Sequence, residues 1–94
     1  MDFLAFQELM DRIYGQRDRA RGTAATQAWL AEELGELFRA VRKGSREDQL
    51  HELGDALAWL ASLANQLELS LDEAAARYAG GCPACASAPC ACPA

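Results

Sequence analysis

A mirrored pattern of acidic and aromatic residues about Gly44 constrains this chain more than any other feature. Two acidic residues and one tryptophan occur at equal distances on either side of it: Trp29, Glu33 and Glu36 before, and Glu52, Asp55 and Trp59 after. If two helices fold back on each other at Gly44, the four carboxylates face one another and both tryptophans lie at the same end. Carboxylates that close repel unless a multivalent cation lies between them, so the pattern predicts a divalent-metal site of oxygen ligands.

Apolar residues recur at helical spacing along most of the chain, and few residues are β-branched, which predicts an all-α fold. The expected helices cover about residues 2–19, 23–43 and 46–68, followed by a short helix that ends near residue 79. The short connection at Gly44 makes the middle pair an antiparallel hairpin, with the outer helices beside it. A four-helix-bundle-like architecture, completed by oligomerisation, is therefore expected for a core this small.

Local signals define the helix ends. Thr23 or Thr26 is expected to cap the second helix, and Gly44 is expected to end it in the left-handed conformation. Ser45 with Asp48 predicts a capping box at the start of the third helix, and a similar Ser–Glu pair starts the fourth at Ser70. The basic stretch at 17–22 is expected to be a loop, in which Arg17, Arg19 and Arg21 are either solvated or reach a phosphate. Two stripes are expected to face inward: Leu30, Leu34, Leu37, Phe38 and Val41, and Leu50, Leu53, Leu57, Leu60, Ala64 and Leu67.

Composition divides the chain into a helical domain at residues 1–80 and a Cys-rich tail at 81–94. The formal charge of −5 argues against the basic surface that binds a nucleic-acid backbone, although a free nucleotide with its metal stays compatible. Neither a signal peptide nor a membrane-spanning segment is evident, so a cytoplasmic location is expected.

The four carboxylates border the apolar stripes, and no Lys or Arg follows Glu33, Glu36 or Glu52 at the i+4 position. The alternative interpretation, a solvated acidic helix face, accounts less well for two mirrored pairs. Gly35 and Gly54 lie inside the pairs and indicate either close helix approach or room for a ligand. Mg²⁺ is the expected ion, with Mn²⁺ as an alternative, because hard oxygen ligands suit it.

The segments Glu32-Glu33-Leu34-Gly35-Glu36-Leu37 and Glu52-Leu53-Gly54-Asp55-Ala56-Leu57 resemble the E-x-x-E and E-x-x-D signature of MazG-like nucleoside triphosphate pyrophosphohydrolases, of the all-α NTP pyrophosphatase superfamily. The resemblance extends over most of the chain. It implies Mg²⁺-dependent hydrolysis of (d)NTPs between the α and β phosphates, giving the monophosphate and pyrophosphate, a house-cleaning activity on the nucleotide pool. It also implies a homodimer or a homotetramer.

By the same resemblance, the Mg²⁺ ligands would be Glu33, Glu36, Glu52 and Asp55. Glu32 would orient or deprotonate the attacking water, or else be a solvated surface residue. Asn65 would contact the sugar or base, or else cap a helix or bond locally, and Arg77 would contact a phosphate. Trp29 and Trp59 would either stack on a base or pack in the helix interface.

The tail carries four cysteines in a C-x2-C-x4-C-x-C arrangement: Cys82, Cys85, Cys90 and Cys92. Four thiolates suit tetrahedral Zn²⁺, although the one-residue gap in the second half is unusual for zinc modules. Three interpretations stay open: a structural zinc site, free thiols in a flexible tail, and disulfide or redox chemistry.

Two other function classes compete with a broad (d)NTP pyrophosphohydrolase. One is a small acidic helical dimeric adaptor with a structural metal and no catalysis. The other is a base-specialised dUTP or dCTP hydrolase, because the metal motif does not encode base preference. Neither the preferred base and sugar, nor the use of modified nucleotides, follows from the sequence.

Overall fold

The computed structural model describes all 94 residues and contains four helices and no strand. They are α1 (Phe3–Arg21), α2 (Thr23–Lys43), α3 (Arg46–Gln66) and the short α4 (Leu71–Ala76). The α2–α3 hairpin is the main packing unit, α1 packs chiefly on α3, and α4 lies against α1. The all-α prediction and the predicted hairpin are therefore confirmed. None of these helices is long and apolar enough to span a membrane.

The predicted caps of α3 and α4 are present. Ser45 accepts a hydrogen bond from the Asp48 amide at 3.1 Å, and the Asp48 carboxylate accepts one from the Ser45 amide at 2.9 Å. The Ser70 hydroxyl likewise accepts from the amide of Glu73. These bonds satisfy amides that have no partner inside the helix, so they fix where α3 and α4 begin.

The predicted loop at 17–22 and the predicted threonine cap of α2 are wrong, whereas α2 begins at Thr23, within a residue of one expected start. The basic stretch is not a loop, because α1 continues to Arg21, and Gly22 alone separates it from α2. Gly22 has φ +85° and occupies the N-cap position, where no side chain caps the helix. Thr26 is fully buried, and its hydroxyl donates to the Gly22 carbonyl instead of accepting an amide. A glycine accepts the sharp turn between two long helices at no steric cost, which makes a threonine cap unnecessary.

Gly44 is not in the left-handed conformation that its position predicts. Its φ of −92° and ψ of 169° are extended. Glycine is required there for a different reason: a Cβ atom would lie 2.9 Å from the Ala40 carbonyl oxygen and 3.0 Å from the Asp48 Cβ. Close approach of the two helix ends, and not backbone handedness, explains this residue.

The predicted core is only partly buried within one chain. Only ten residues are buried, and the apolar ones among them are small except for Met10: Met10, Ala40, Ala56, Ala61 and Ala64. Eight large apolar residues of the hairpin are exposed: Trp29 and seven that we call the apolar strip, Leu34, Phe38, Val41, Leu50, Leu53, Leu57 and Leu60. The expectation that these seven face a core inside the chain is therefore wrong. The periodicity of apolar residues identifies the apolar face of each helix, but it does not tell whether that face packs inside the same chain.

Candidate active site

A stacked pair of tryptophans fixes the level at which α2 and α3 face each other. The Trp29 and Trp59 ring centroids are 5.9 Å apart and their planes differ by 14°. The guanidinium carbon of Arg21, at the end of α1, lies 4.7 Å from the centroid of the Trp59 ring. The tryptophans thus share one end of the hairpin, as the mirrored spacing requires, and pack in the helix interface. Contact of either ring with a base stays a prediction.

Glu33 lies at the centre of the acidic residues. Partial burial raises the pKa of its carboxyl above the usual value, because removal from water disfavours the charged form. The negative charges of Asp55 and Glu52 on the facing helix raise this pKa further, followed by those of Glu32 and Glu36 on its own helix. Carboxylates from both helices therefore act electrostatically on Glu33, and we call the four predicted ligands the acidic cluster, although no three of them place ligand atoms within 4.8 Å of one another.

On α3, the cluster includes a histidine that was not predicted. His51, Glu52 and Asp55 each place one potential ligand atom within 4.8 Å of the other two. The His51 Nε2 atom lies 3.3 Å from Asp55 Oδ2, in an i,i+4 pair whose two side chains are both substantially exposed. The i,i+4 spacing was the available sequence signal for this contact.

Glu36 and Glu52 line a common cavity of about 290 Å³ at the Gly44 end of the hairpin. Two cations line the same cavity, Arg39 and Lys43 on α2. Neither cation was predicted, because basic residues at these distances after Glu36 are also found on an ordinary solvated helix face. The cavity therefore combines carboxylates that can hold a divalent cation with basic groups that can bind an anion.

A second cavity, of about 230 Å³, lies toward the tryptophan end. Asp55 lines it together with Trp59, Arg17 and Arg21. Because α1 continues through the basic stretch, Arg17 and Arg21 are one helical turn apart and lie on the same side of α1. Asp55 thus belongs both to the acidic cluster and to a cavity with two arginines.

A buried polar junction holds Arg21 beside this cavity. Asp18 is 2% exposed, and one of its carboxylate oxygens accepts a hydrogen bond from the Arg21 guanidinium. Its backbone carbonyl accepts a 2.6 Å bond from the Gln66 side chain, which ties α1 to the end of α3. Asp18 Oδ2 and Gln66 Oε1 are buried without a hydrogen-bond partner. Asp18 therefore positions Arg21 and joins two helices.

The remaining predicted residues lie outside the cavity of Glu36 and Glu52 and the cavity of Asp55, and Asn65 lines a separate cavity with Glu8, Asp11 and Glu68. Both ends of the Asn65 side-chain amide are bonded to Gln7 on α1, at 3.0 Å to its side chain and 2.9 Å to its carbonyl. Arg77 follows α4, and its guanidinium carbon lies 5.8 Å from the Tyr78 ring. Glu32 is exposed and affects the cluster through its charge on Glu33. Their roles toward a nucleotide stay predictions.

Comparison with known proteins gives the class that this fold and site define. The model of the MazG nucleotide pyrophosphohydrolase domain matches residues 21–79, which include both halves of the acidic motif. A curated protein of Bacillus subtilis (strain 168), the uncharacterized protein YpjD, is 39% identical over 79 residues, covering 72% of this chain and 71% of that protein. The chain therefore belongs to the MazG nucleotide pyrophosphohydrolase family, and membership indicates nucleotide pyrophosphohydrolase activity in general.

Proposed function

We propose that this protein hydrolyses nucleoside triphosphates between the α and β phosphates, releasing the monophosphate and pyrophosphate, with Mg²⁺ held by Glu33, Glu36, Glu52 and Asp55. One observation carries the proposal: Asp55 belongs to the acidic cluster and also lines a cavity that contains Arg17 and Arg21. A metal–triphosphate complex needs this combination, because its cation requires oxygen ligands and its phosphates require positive charge.

The residues present fit a divalent cation. Burial raises the pKa of Glu33 and four neighbouring carboxylates raise it further, and no Lys or Arg forms an ion pair with any of the four predicted ligands. This uncompensated repulsion is what a bound cation would relieve. When bound, Mg²⁺ would polarise the attacked phosphoryl group and lower the pKa of a bound water. Mn²⁺, which also accepts oxygen ligands, would be the nearest substitute.

The protein's own residues supply positioning. The guanidinium groups of Arg17 and Arg21 would bind the phosphates next to Asp55, and the contact of Arg21 with Asp18 and Trp59 limits its freedom before substrate arrives. Arg39 and Lys43 provide positive charge on the opposite, Gly44 side of the cluster. Glu32 or His51, both exposed next to the ligands, would accept the proton of the attacking water.

The apolar strip supports a second part of the proposal, that the working unit is an oligomer of this chain. The strip occupies one side of both hairpin helices, whereas Glu33 and Glu36 lie on another side at about 100° per residue. Gly35 and Gly54 lie next to the strip, and a Cβ on either would meet no atom of the chain within 4 Å. A second copy packed on the strip would bury it and leave the carboxylates accessible.

The test is incubation of the purified protein with canonical and modified (d)NTPs and Mg²⁺, with chromatographic measurement of the products. Monophosphate and pyrophosphate in equal amounts are expected, and a strong preference for dUTP or dCTP would indicate the base-specialised alternative. Glu36→Gln and Asp55→Asn should each reduce kcat/KM by about 100-fold or more, as loss of a metal ligand does. Glu47→Gln and Asp72→Asn, on exposed residues outside both cavities, are the matched controls.

Two results would contradict the proposal. Release of orthophosphate and a diphosphate would place the cleavage at a different bond. Absence of turnover with every nucleotide, in protein that binds Mg²⁺ through the four carboxylates, would favour the rival adaptor, in which the metal has a structural role only.

A further inference from the structure

The four cysteines of the tail converge on one point. One sulfur from each of Cys82, Cys85, Cys90 and Cys92 lies within 4.8 Å of the other three. Two of the sulfur–sulfur distances are 3.7 Å, for Cys82 and Cys92, and 3.9 Å, for Cys85 and Cys90. Four sulfurs at about 2.3 Å from a tetrahedral Zn²⁺ lie about 3.8 Å from one another. The spacing of the sulfurs therefore matches the edges of a zinc–thiolate tetrahedron.

The backbone of the tail produces this convergence. The Cys82 amide donates to the Ser87 carbonyl at 2.9 Å, and the Ala86 amide donates to the Cys82 carbonyl at 2.6 Å, which closes a turn around Cys85. Gly81 has φ +104°, and a Cβ there would lie 2.9 Å from the Ser87 backbone, so the turn needs glycine at this position. The chain then returns and brings Cys90 and Cys92 against the first pair.

Backbone amides point at the sulfurs, as they do around bound thiolates. The Ala91 amide donates to Cys85 Sγ at 3.3 Å, and the Cys92 amide donates to Cys90 Sγ at 3.4 Å. Such bonds stabilise the negative charge of a sulfur ligand and fix its orientation. The single residue between Cys90 and Cys92 therefore has a role in the turn, because the amide of Ala91 donates to Cys85 of the first cysteine pair.

Apart from these hydrogen bonds within the turn, the tail has no packing that would hold it in one conformation. No residue from 81 to 94 is buried, and all four cysteines are free. A segment this short cannot form an apolar core, so an ordered turn of this kind needs a crosslink. A metal bound by four thiolates would supply it.

We propose that Cys82, Cys85, Cys90 and Cys92 form a structural Zn²⁺ site in the tail, separate from the Mg²⁺ site of the hairpin. All four coordination positions are taken by protein sulfur, so no position is open for a substrate or water. The site orders the turn after α4 and takes no part in hydrolysis.

The experiment uses the untagged full-length chain, purified under reducing conditions, with metal content measured by mass spectrometry. One zinc per chain is expected. Cys85→Ser should reduce zinc to a small fraction of that value while the far-UV circular dichroism of the helices is unchanged. The Glu36→Gln variant should keep its zinc, which would exclude zinc binding at the carboxylates of the hairpin. Ser87→Ala is the matched control in the tail.

Two further measurements keep the proposal falsifiable. Replacement of zinc by Co²⁺ should give the intense visible absorption of a tetrahedral cobalt–thiolate centre, and Cys85→Ser should lose it. The four thiols should react with a thiol reagent much faster after a strong chelator is added. Stoichiometric iron instead of zinc, a pair of disulfides in protein isolated without oxidant, or four freely reactive thiols with no metal would each overturn the proposal.

Discussion

The rings of Trp29 and Trp59 stack across the α2–α3 interface with their centroids 5.9 Å apart. Each tryptophan is four residues from a predicted metal ligand on its own helix, Glu33 and Asp55 respectively. Since side chains one helical turn apart lie on the same face, the stacked pair sets the level at which these two carboxylates meet. The stacked aromatic pair therefore supports the relative position of Glu33 and Asp55, and Trp59 also lines the cavity that contains Asp55.

Trp29→Ala should disturb both stability and activity. Loss of the stacked pair should lower the free energy of unfolding by about 1 kcal/mol beyond the loss of buried area, and kcat should fall because the carboxylates are no longer held at one level. Trp29→Phe, which retains an aromatic ring, should recover most of both. Urea unfolding and steady-state kinetics measure the two effects. Normal kcat in Trp29→Ala would show that the stack does not position the site.

Glu33→Gln should stabilise the metal-free protein while it weakens Mg²⁺ binding. The folded-state pKa of Glu33 is raised, so ionisation of this group opposes folding. Its contribution to stability is greatest below the unfolded pKa and is lost as pH rises through the folded pKa. Relief of a like-charge contact of this kind is worth about 0.5 kcal/mol. The variant should therefore exceed wild type in stability at pH 7 in EDTA, and the difference should shrink at pH 4.

Thermal melts with and without Mg²⁺ complete that test. Mg²⁺ should raise the melting temperature of the wild-type protein, because a ligand that binds only the folded state stabilises it, and should raise that of Glu33→Gln much less. Glu47→Gln, at an exposed residue of the same helix pair, serves as the control. An equal response of the variant and the wild type to Mg²⁺ would remove Glu33 from the ligand set.

The hairpin and its mirrored carboxylates were predictable because their signals are local. Ser45 and Asp48 determine the start of α3 through their own hydrogen bonds, and equal spacing about Gly44 then brings Glu33 opposite Asp55. The lack of a side-chain cap at the start of α2 was not predictable in this way, because a tight turn at Gly22 between packed helices replaces it. Arg39 was missed because its role depends on the cavity at the hairpin end, which the spacing within one helix does not describe.

Glycine substitutions in the hairpin should have opposite signs. Gly44→Ala should destabilise the protein by about 1–3 kcal/mol, because the new Cβ would lie 2.9 Å from the Ala40 carbonyl oxygen in a tightly packed corner. Gly35→Ala should stabilise an isolated chain by about 0.5–1 kcal/mol, since Ala is the better helix former and the added methyl meets no atom. Chemical denaturation measures both variants. Equal effects of the two substitutions would contradict the close approach at Gly44.

Charged substitutions in the apolar strip should change the oligomeric state of the protein. Phe38→Glu and Leu57→Glu place a charge on residues that are 55% and 38% exposed within one chain. If a second copy covers the strip, each variant buries an unpaired carboxylate and should dissociate the oligomer, because an uncompensated charge in an interface costs several kcal/mol. Light scattering coupled to size-exclusion chromatography should show a dimer or tetramer for the wild type and monomers for both variants.

Leu4→Glu provides the matched control, since Leu4 is 53% exposed on α1 and lies outside the strip. It should retain the wild-type mass if the second copy packs on the strip alone, because a charge outside the strip then stays in water and costs little. The dissociated variants also separate two contributions to activity. If the monomers keep their Mg²⁺ affinity but lose turnover, the four carboxylates of one hairpin suffice to hold the metal, while the nucleotide site needs the second copy. A wild-type protein that is monomeric at every concentration measured would refute the covered strip.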